Sequence, residues 1–289
     1  MAIIRDQALI APTPPNLPLA TNEYERRYID QLNNVLRLYF NQLSNFNQQL
    51  VAQTGGALLR FPNGAFHQDG ATTLTAGITN NSTTPIPVGT TDKFASAGTI
   101  LIGSELITYT GKTTTTFTGI TRGVYGTTNV AHLTGVAVTE AQAVPSSTTA
   151  IAIPLDTTDA SNGVSYDPAN PSRVIFAVAG YYNVQFSCQL LNYTTSEDNV
   201  TFWWKQNGVD VPFSAGISQV QPKHGSSPGA AIISWNIVLP IKATDYIQLY
   251  YASETGNTVC ATYPAGTSPV HPVSPSVILT ATFVSALYP

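Results

Sequence analysis

Apolar residues recur at two different periods along this chain, and the change of period divides it. Ile29, Leu32, Leu36, Tyr39, Leu43, Phe46 and Leu50 follow one another at alternating spacings of three and four. That is the heptad stripe of an amphipathic helix, with Val35 and Phe40 widening it. The pattern predicts one helix within residues 22–56. Asn22 with Glu25 three positions on is a capping-box-like start, and Thr54-Gly55-Gly56 is a stop. The stripe spans about three heptads, roughly 33 Å at 1.5 Å per residue. Helices of this length are marginal alone. The stripe therefore packs either on the chain's own β-structure or, as a stalk, against parallel helices of other copies. In the second case Ile29, Leu32, Leu36, Tyr39, Leu43, Phe46 and Leu50 form the interface, and another domain must help to hold the oligomer.

Downstream the period falls to two. Residues 57–144 read as a small β-module. Thr99–Ile102 and Glu105–Thr110 flank Gly103-Ser104, a two-residue hairpin signal, and short strands punctuated by Gly119, Gly123, Gly126 and Gly135 follow. Residues 145–163 are rich in Pro, Ser and Thr and read as a linker with one short strand. Residues 164–289 carry the clearest alternation, with strands expected at 173–178, 181–190, 199–205, 231–239, 245–252, 257–262 and 276–285. Asn207-Gly208 is the strongest hairpin turn in the chain. Seven or eight short strands of this kind indicate a sandwich or jelly roll. The fold class is thus mainly β, with one helix near the start.

Residues 1–21 have neither period. Pro12, Pro14, Pro15 and Pro18 favour extended backbone and forbid a helix, so the segment is an arm without a core of its own. It is either disordered or clamped by a neighbour, which makes these prolines a candidate anchor.

Composition sharpens the picture in one respect. Charged residues make up only 10% of the chain, against about 25% in ordinary domains. Its polar surface rests on Thr, Ser, Asn and Gln, which suits a protein packed against copies of itself or other partners. The net charge is −4 and no Lys/Arg run is present, so nucleic-acid binding has no driving force. No apolar run reaches the length of a membrane span, and the first residues lack the apolar core of a signal peptide. Cys188 lies on the apolar face of an alternating stretch and reads as a buried thiol; a Cys188–Cys260 bridge is the lesser alternative.

Candidate chemistry is sparse. His67, His132, His224 and His271 are scattered, and only His224 and His271, both in loop-like stretches, are candidates to meet on a metal. Glu197, Asp198 and Asn199 are adjacent oxygen donors that could take calcium, but a polar turn before a strand explains them more simply. No zinc, nucleophile-elbow or nucleotide motif is present, and no pair of the sixteen acids stands out for glycoside hydrolysis. No cofactor is expected. Trp203 and Trp204 are adjacent on a strand and must face opposite sides. Trp204 joins Phe202 in the core, which leaves Trp203 facing outward as a candidate subunit contact or sugar-stacking surface.

The stretches VIFAVAGYYNVQFSCQL, VTFWWKQNGVDVPFS, LPIKATDYIQLYYAS and PSVILTATFV resemble the tumour-necrosis-factor/complement C1q-like jelly roll. GTILIGSELITYTGKTTTTFTGITRGVYGTTNVAHLTGVAV is similar to a β-module of phage and prophage virion proteins. PNLPLATNEYERRYIDQLNNVLRLYFNQL looks like the start of phage fibre or decoration proteins. The resemblance implies a homotrimer around a three-fold axis. It implies a non-enzymatic bacteriophage virion protein, either a capsid decoration (cement) protein or a short fibre, assembled in the host cytoplasm. The arm would anchor it to the major capsid protein or to tail or portal proteins, and the jelly-roll head would project. The alternative is a tail-fibre receptor-binding protein whose head binds host surface glycan. Asn-x-Ser/Thr triplets at Asn80, Asn81, Asn192 and Asn199 would carry no sugar in such a protein.

Overall fold

The structure is a computed structural model that describes residues 12–17, 25–51, 61–267 and 269–287. The chain divides into two units, Met1–Phe61 and Pro62–Pro289.

The first unit holds the helix Arg26–Val51, whose first backbone bond runs from Ile29 N–H to the Glu25 carbonyl. Neither end is charged to suit the helix dipole: the first turn has no acid and the last turn no base. Its seven stripe residues and Val35 are all half-buried, and no described side chain of the helix is fully buried. Phe40, expected to widen the stripe, is 60% exposed, with its ring centroid 5.8 Å from that of Tyr39. Pro12, Pro14 and Pro15 lie in a segment with neither helix nor strand. Pro18, Asn22 and the 54–56 stop lie outside the described residues.

The second unit is mainly β, built from several antiparallel sheets, two of which pack face to face. The centre of the first layer is Gly180–Asn192, where Tyr182, Val184, Phe186, Cys188 and Leu190 alternate inward and are buried. Along all of its thirteen residues it pairs with Gly229–Ile241. On its other side it pairs first with Val277–Ser285 and then with Thr258–Ala261. The second layer runs Val164–Asp167, Asn170–Phe176, Tyr246–Ser253, Asp198–Gln206, with Gly216–Val220 outermost. Phe186, Phe202, Trp204, Trp235 and Tyr251 meet between the layers; the Phe186–Trp235 ring centroids are 4.5 Å apart and Phe202 stacks on Tyr251 at 5.5 Å. Each such ring contributes about 1.5–3 kcal/mol by leaving water. All seven strands expected between 173 and 285 form, with ends shifted by at most three residues. The Asn207-Gly208 turn has φ of +51° and +82°, the left-handed pair that a two-residue hairpin requires.

Residues 63–143 do not stand apart from this sandwich. Thr258–Ala261 is buried throughout and pairs on one side with Gly180–Asn192 and on the other with Ala137–Ala143. Through it, Ala137–Ala143, Gly98–Ile102 and Glu105–Tyr109 continue the first layer. A second core, with Ile100, Ile107, Tyr109 and Phe117, closes under them. Asn63–Gln68 pairs with Thr157–Asn162, so the stretch expected as a linker with one short strand supplies an edge strand of the same sheet. Its sequence, TTDASN, has no apolar alternation because its side chains are almost all exposed. The Gly103-Ser104 hairpin forms as expected, with Ile102 opposite Glu105 and Gly103 at φ +62°.

Cys188 and Cys260 are free and fully buried. Burial, with Cys260 adjacent, pushes the Cys188 thiol well above its ordinary range.

Candidate functional site

Four features outside the hydrophobic cores bear on function, and the first is a face. Along Asp198–Gln206, Val200, Phe202 and Trp204 point into the sandwich, so Thr201, Trp203 and Lys205 point out. Register places Trp203 beside Tyr250, with ring centroids 5.7 Å apart and planes inclined by 32°. The Trp203 indole N–H donates to Asp210 Oδ1 at 2.7 Å. Lys205 Nζ sits 4.5 Å over the Tyr250 ring and 3.3 Å from the same Asp210 oxygen. The result is a half-buried aromatic pair rimmed by one ion pair, able to stack on a sugar face or to pack against another chain.

The second feature is an edge. Gly229–Ile241 uses one side for its ladder to Gly180–Asn192; on its other side it has no ladder partner among the described residues. Its thirteen residues, GAAIISWNIVLPI, contain no charge. Ile232 is 72% exposed and Val238 51%, and Ile217 on the neighbouring edge strand is 71% exposed. Long, uncharged edges template association unless something covers them.

The third and fourth are two buried glutamates in one sheet. Glu105 accepts from Arg122 Nε at 2.6 Å and Nη2 at 2.7 Å, from the Gly123 and Val130 backbone N–H groups, and pairs with His132 Nε2 at 2.9 Å. Arg122 also donates to the Thr79 and Val130 carbonyls, so the cluster ties three loops together. Burial alone would raise the Glu105 carboxyl, but the bonds from Arg122, Val130 and His132 outweigh it and hold the group below its ordinary range. Glu140 is as deeply buried but has no cation bonded to it. Its Oε1 accepts from Gln142 Nε2 at 2.9 Å, and its Oε2 has no partner. Burial pushes it up to about 8, with Asp156 adding to the rise. Glu140 lines a crevice of about 280 Å³ together with Lys93, Asp156 and Tyr166. Burial raises Asp156 too.

Sequence reasoning passed over both glutamates. The available signal was an acid inside an apolar strand, ELITY for Glu105 and AVTEAQA for Glu140. Of the acids it did weigh, Asp198 has structural work. Asp198 is buried and accepts from Ser253 Oγ at 2.6 Å and from the Thr255 and Thr258 backbone N–H groups. Burial would raise it, but these bonds dominate and hold it low. It is the anchor of a turn. The His271 ring nitrogen bonds the Pro272 carbonyl, and His224 closes a short turn with Ser227. Asn192 is fully buried, its amide bonded to the Ser196 carbonyl. Among the described residues no group of three or more His, Cys, Asp or Glu could hold a metal ion, and no helix is long and apolar enough to cross a membrane.

No family model matches the chain, and no curated protein matches it in sequence.

Proposed function

We propose that the chain is a non-enzymatic structural protein of a bacteriophage virion, a homotrimeric capsid decoration or short fibre protein. Its arm binds other virion proteins and its β-unit projects. The observation that carries self-association is the uncharged thirteen-residue edge Gly229–Ile241, with Ile217, Ile232 and Val238 exposed around it. The half-covered stripe of Arg26–Val51 points the same way, because a stalk of parallel helices would bury it.

The C1q-like jelly-roll reading has support from where the resembling segments fall. The Gly-Tyr-Tyr element opens the long strand Gly180–Asn192, Asn207-Gly208 turns the next hairpin, and the Thr-Asp-Tyr element leads into Tyr246–Ser253. The assignment to a virion rests on the sequence resemblance. Negative-stain images of particles labelled with antibody against residues 164–289 test it: label at regular positions on the head or tail supports it, and unlabelled particles from a host that makes the protein refute it. Removing residues 2–20 should leave a soluble trimer that no longer attaches.

The outward Trp203–Tyr250 pair favours a second reading, a receptor-binding fibre whose head holds host surface glycan.

A further inference from the structure

The crevice at Glu140 is concave, and beneath it lies a buried carboxyl oxygen without a partner. Loop residues 92–95 form one wall, Gln68 and Glu140 the floor, and segments 154–156 and 166–171 the other wall. Glu140 is 4% exposed and its Oε2 lacks any partner, which is costly in a buried site and calls for an explanation. Gly70 makes room for that oxygen: a Cβ there would sit 2.8 Å from Oε2.

The lining selects the ligand. A further cation is disfavoured, because Lys93 Nζ already holds Asp69 Oδ1 at 2.5 Å and Thr157 Oγ1 at 3.0 Å, and Lys112 is close enough to act on Glu140. An anion would face Asp92 and Asp156. A neutral molecule bearing hydroxyls suits the groups present. Each hydroxyl both donates and accepts. Asp156 and Asp92 supply acceptors and Lys93 a donor, while Glu140, kept neutral by burial and with its Oε2 closed off from solvent, adds no charge to the floor. The remaining walls are the ring of Tyr166 and the flat faces of Pro168 and Pro171, which suit the C–H faces of a sugar. At about 280 Å³ the space falls just under the range for drug-sized ligands, which leaves room for one ring.

We propose that this crevice is a saccharide site that takes a single neutral pyranose unit, with Asp92, Lys93 and Asp156 bonding its hydroxyls and Tyr166 packing on its face. It goes beyond the self-association reading and holds whether or not the chain trimerises. Saturation-transfer-difference NMR on the full chain, with D-glucose, D-galactose and N-acetyl-D-glucosamine as probes, tests it. At least one pyranose should receive saturation. Asp92→Trp, at an exposed rim position where misfolding is not at issue, should block the mouth and cut the signal at least tenfold. Tyr166→Ala should do the same, and Trp203→Ala should leave the signal unchanged. No signal from any of the three sugars overturns the proposal. So does a signal that survives Asp92→Trp, and one lost in Trp203→Ala would move the sugar to the aromatic face.

Discussion

The helix Arg26–Val51 and the strand Gly180–Asn192 carry equally regular apolar patterns, and they reach different ends. In the strand, every second side chain from Tyr182 to Leu190 is buried to within a few per cent. In the helix, every stripe residue stops at half-burial. The strand finds its cover within the chain, in the rings of the facing layer. A pattern of this strength left half-covered is evidence of a surface meant for something else. A similar contrast holds between Glu105 and Glu140. Both are buried in one sheet, but Arg122 makes the first an anion and its absence leaves the second a neutral acid. Burial depth alone decides neither packing nor ionisation; the partner does.

Substitutions can break these contrasts, beginning with the largest effect. Leu36→Asp with Leu43→Asp places two charges in the stripe, and burying either without a partner is prohibitive. Self-association should be lost while the β-unit keeps its melting transition; light scattering and thermal denaturation read the two separately. If the helix merely covered its own chain, the double variant would change stability and leave the mass alone.

Glu105→Gln leaves Arg122 and His132 buried beside a neutral group. Breaking such a pair costs about 3–5 kcal/mol, measurable by urea denaturation. The intact pair also sets an acid limit. Because folding lowers the Glu105 pKa, its contribution is present above the ordinary carboxylate range and is lost as pH falls through the folded value.

Glu140 has the opposite sign. Folding raises its pKa from 4.5 to about 8, so its contribution is full below pH 4.5 and is lost as pH rises through 8. Glu140→Gln removes that loss. The variant should gain on the parent in melting temperature between pH 5 and pH 8.5, with the gap widest at the alkaline end. Equal pH profiles for parent and variant would mean that Glu140 ionises normally. Gly208→Ala is the smallest of the four: at φ +82° a side chain is strained, and about 1 kcal/mol should be lost.

The sandwich was legible in the sequence because its strands bury one face, so alternation and Asn-Gly or Gly-Ser turns mark them. What was hidden depends on pairing across long separations. Asn63–Gln68 meets Thr157–Asn162 almost a hundred residues away, and neither NGAFHQ nor TTDASN alternates apolar with polar residues in sequence, although the first alternates in burial. Thr258–Ala261 was visible as a strand, but nothing local says that it sews residues 98–143 onto the sandwich. The outward position of Trp203 followed from alternation beside Trp204; its partners Tyr250 and Asp210 come from register, which sequence spacing does not give. Arg122 and Glu105 are seventeen residues apart on paired strands, and only the fold makes them one group.

Sedimentation equilibrium of the full chain at micromolar concentration bears most directly on the unfinished stripe of Arg26–Val51. A mass of three chains, reduced to one by the Leu36→Asp, Leu43→Asp pair, is the expected result. A single-chain mass for the unaltered protein would show that the half-covered helix and the uncharged edge Gly229–Ile241 need no second copy.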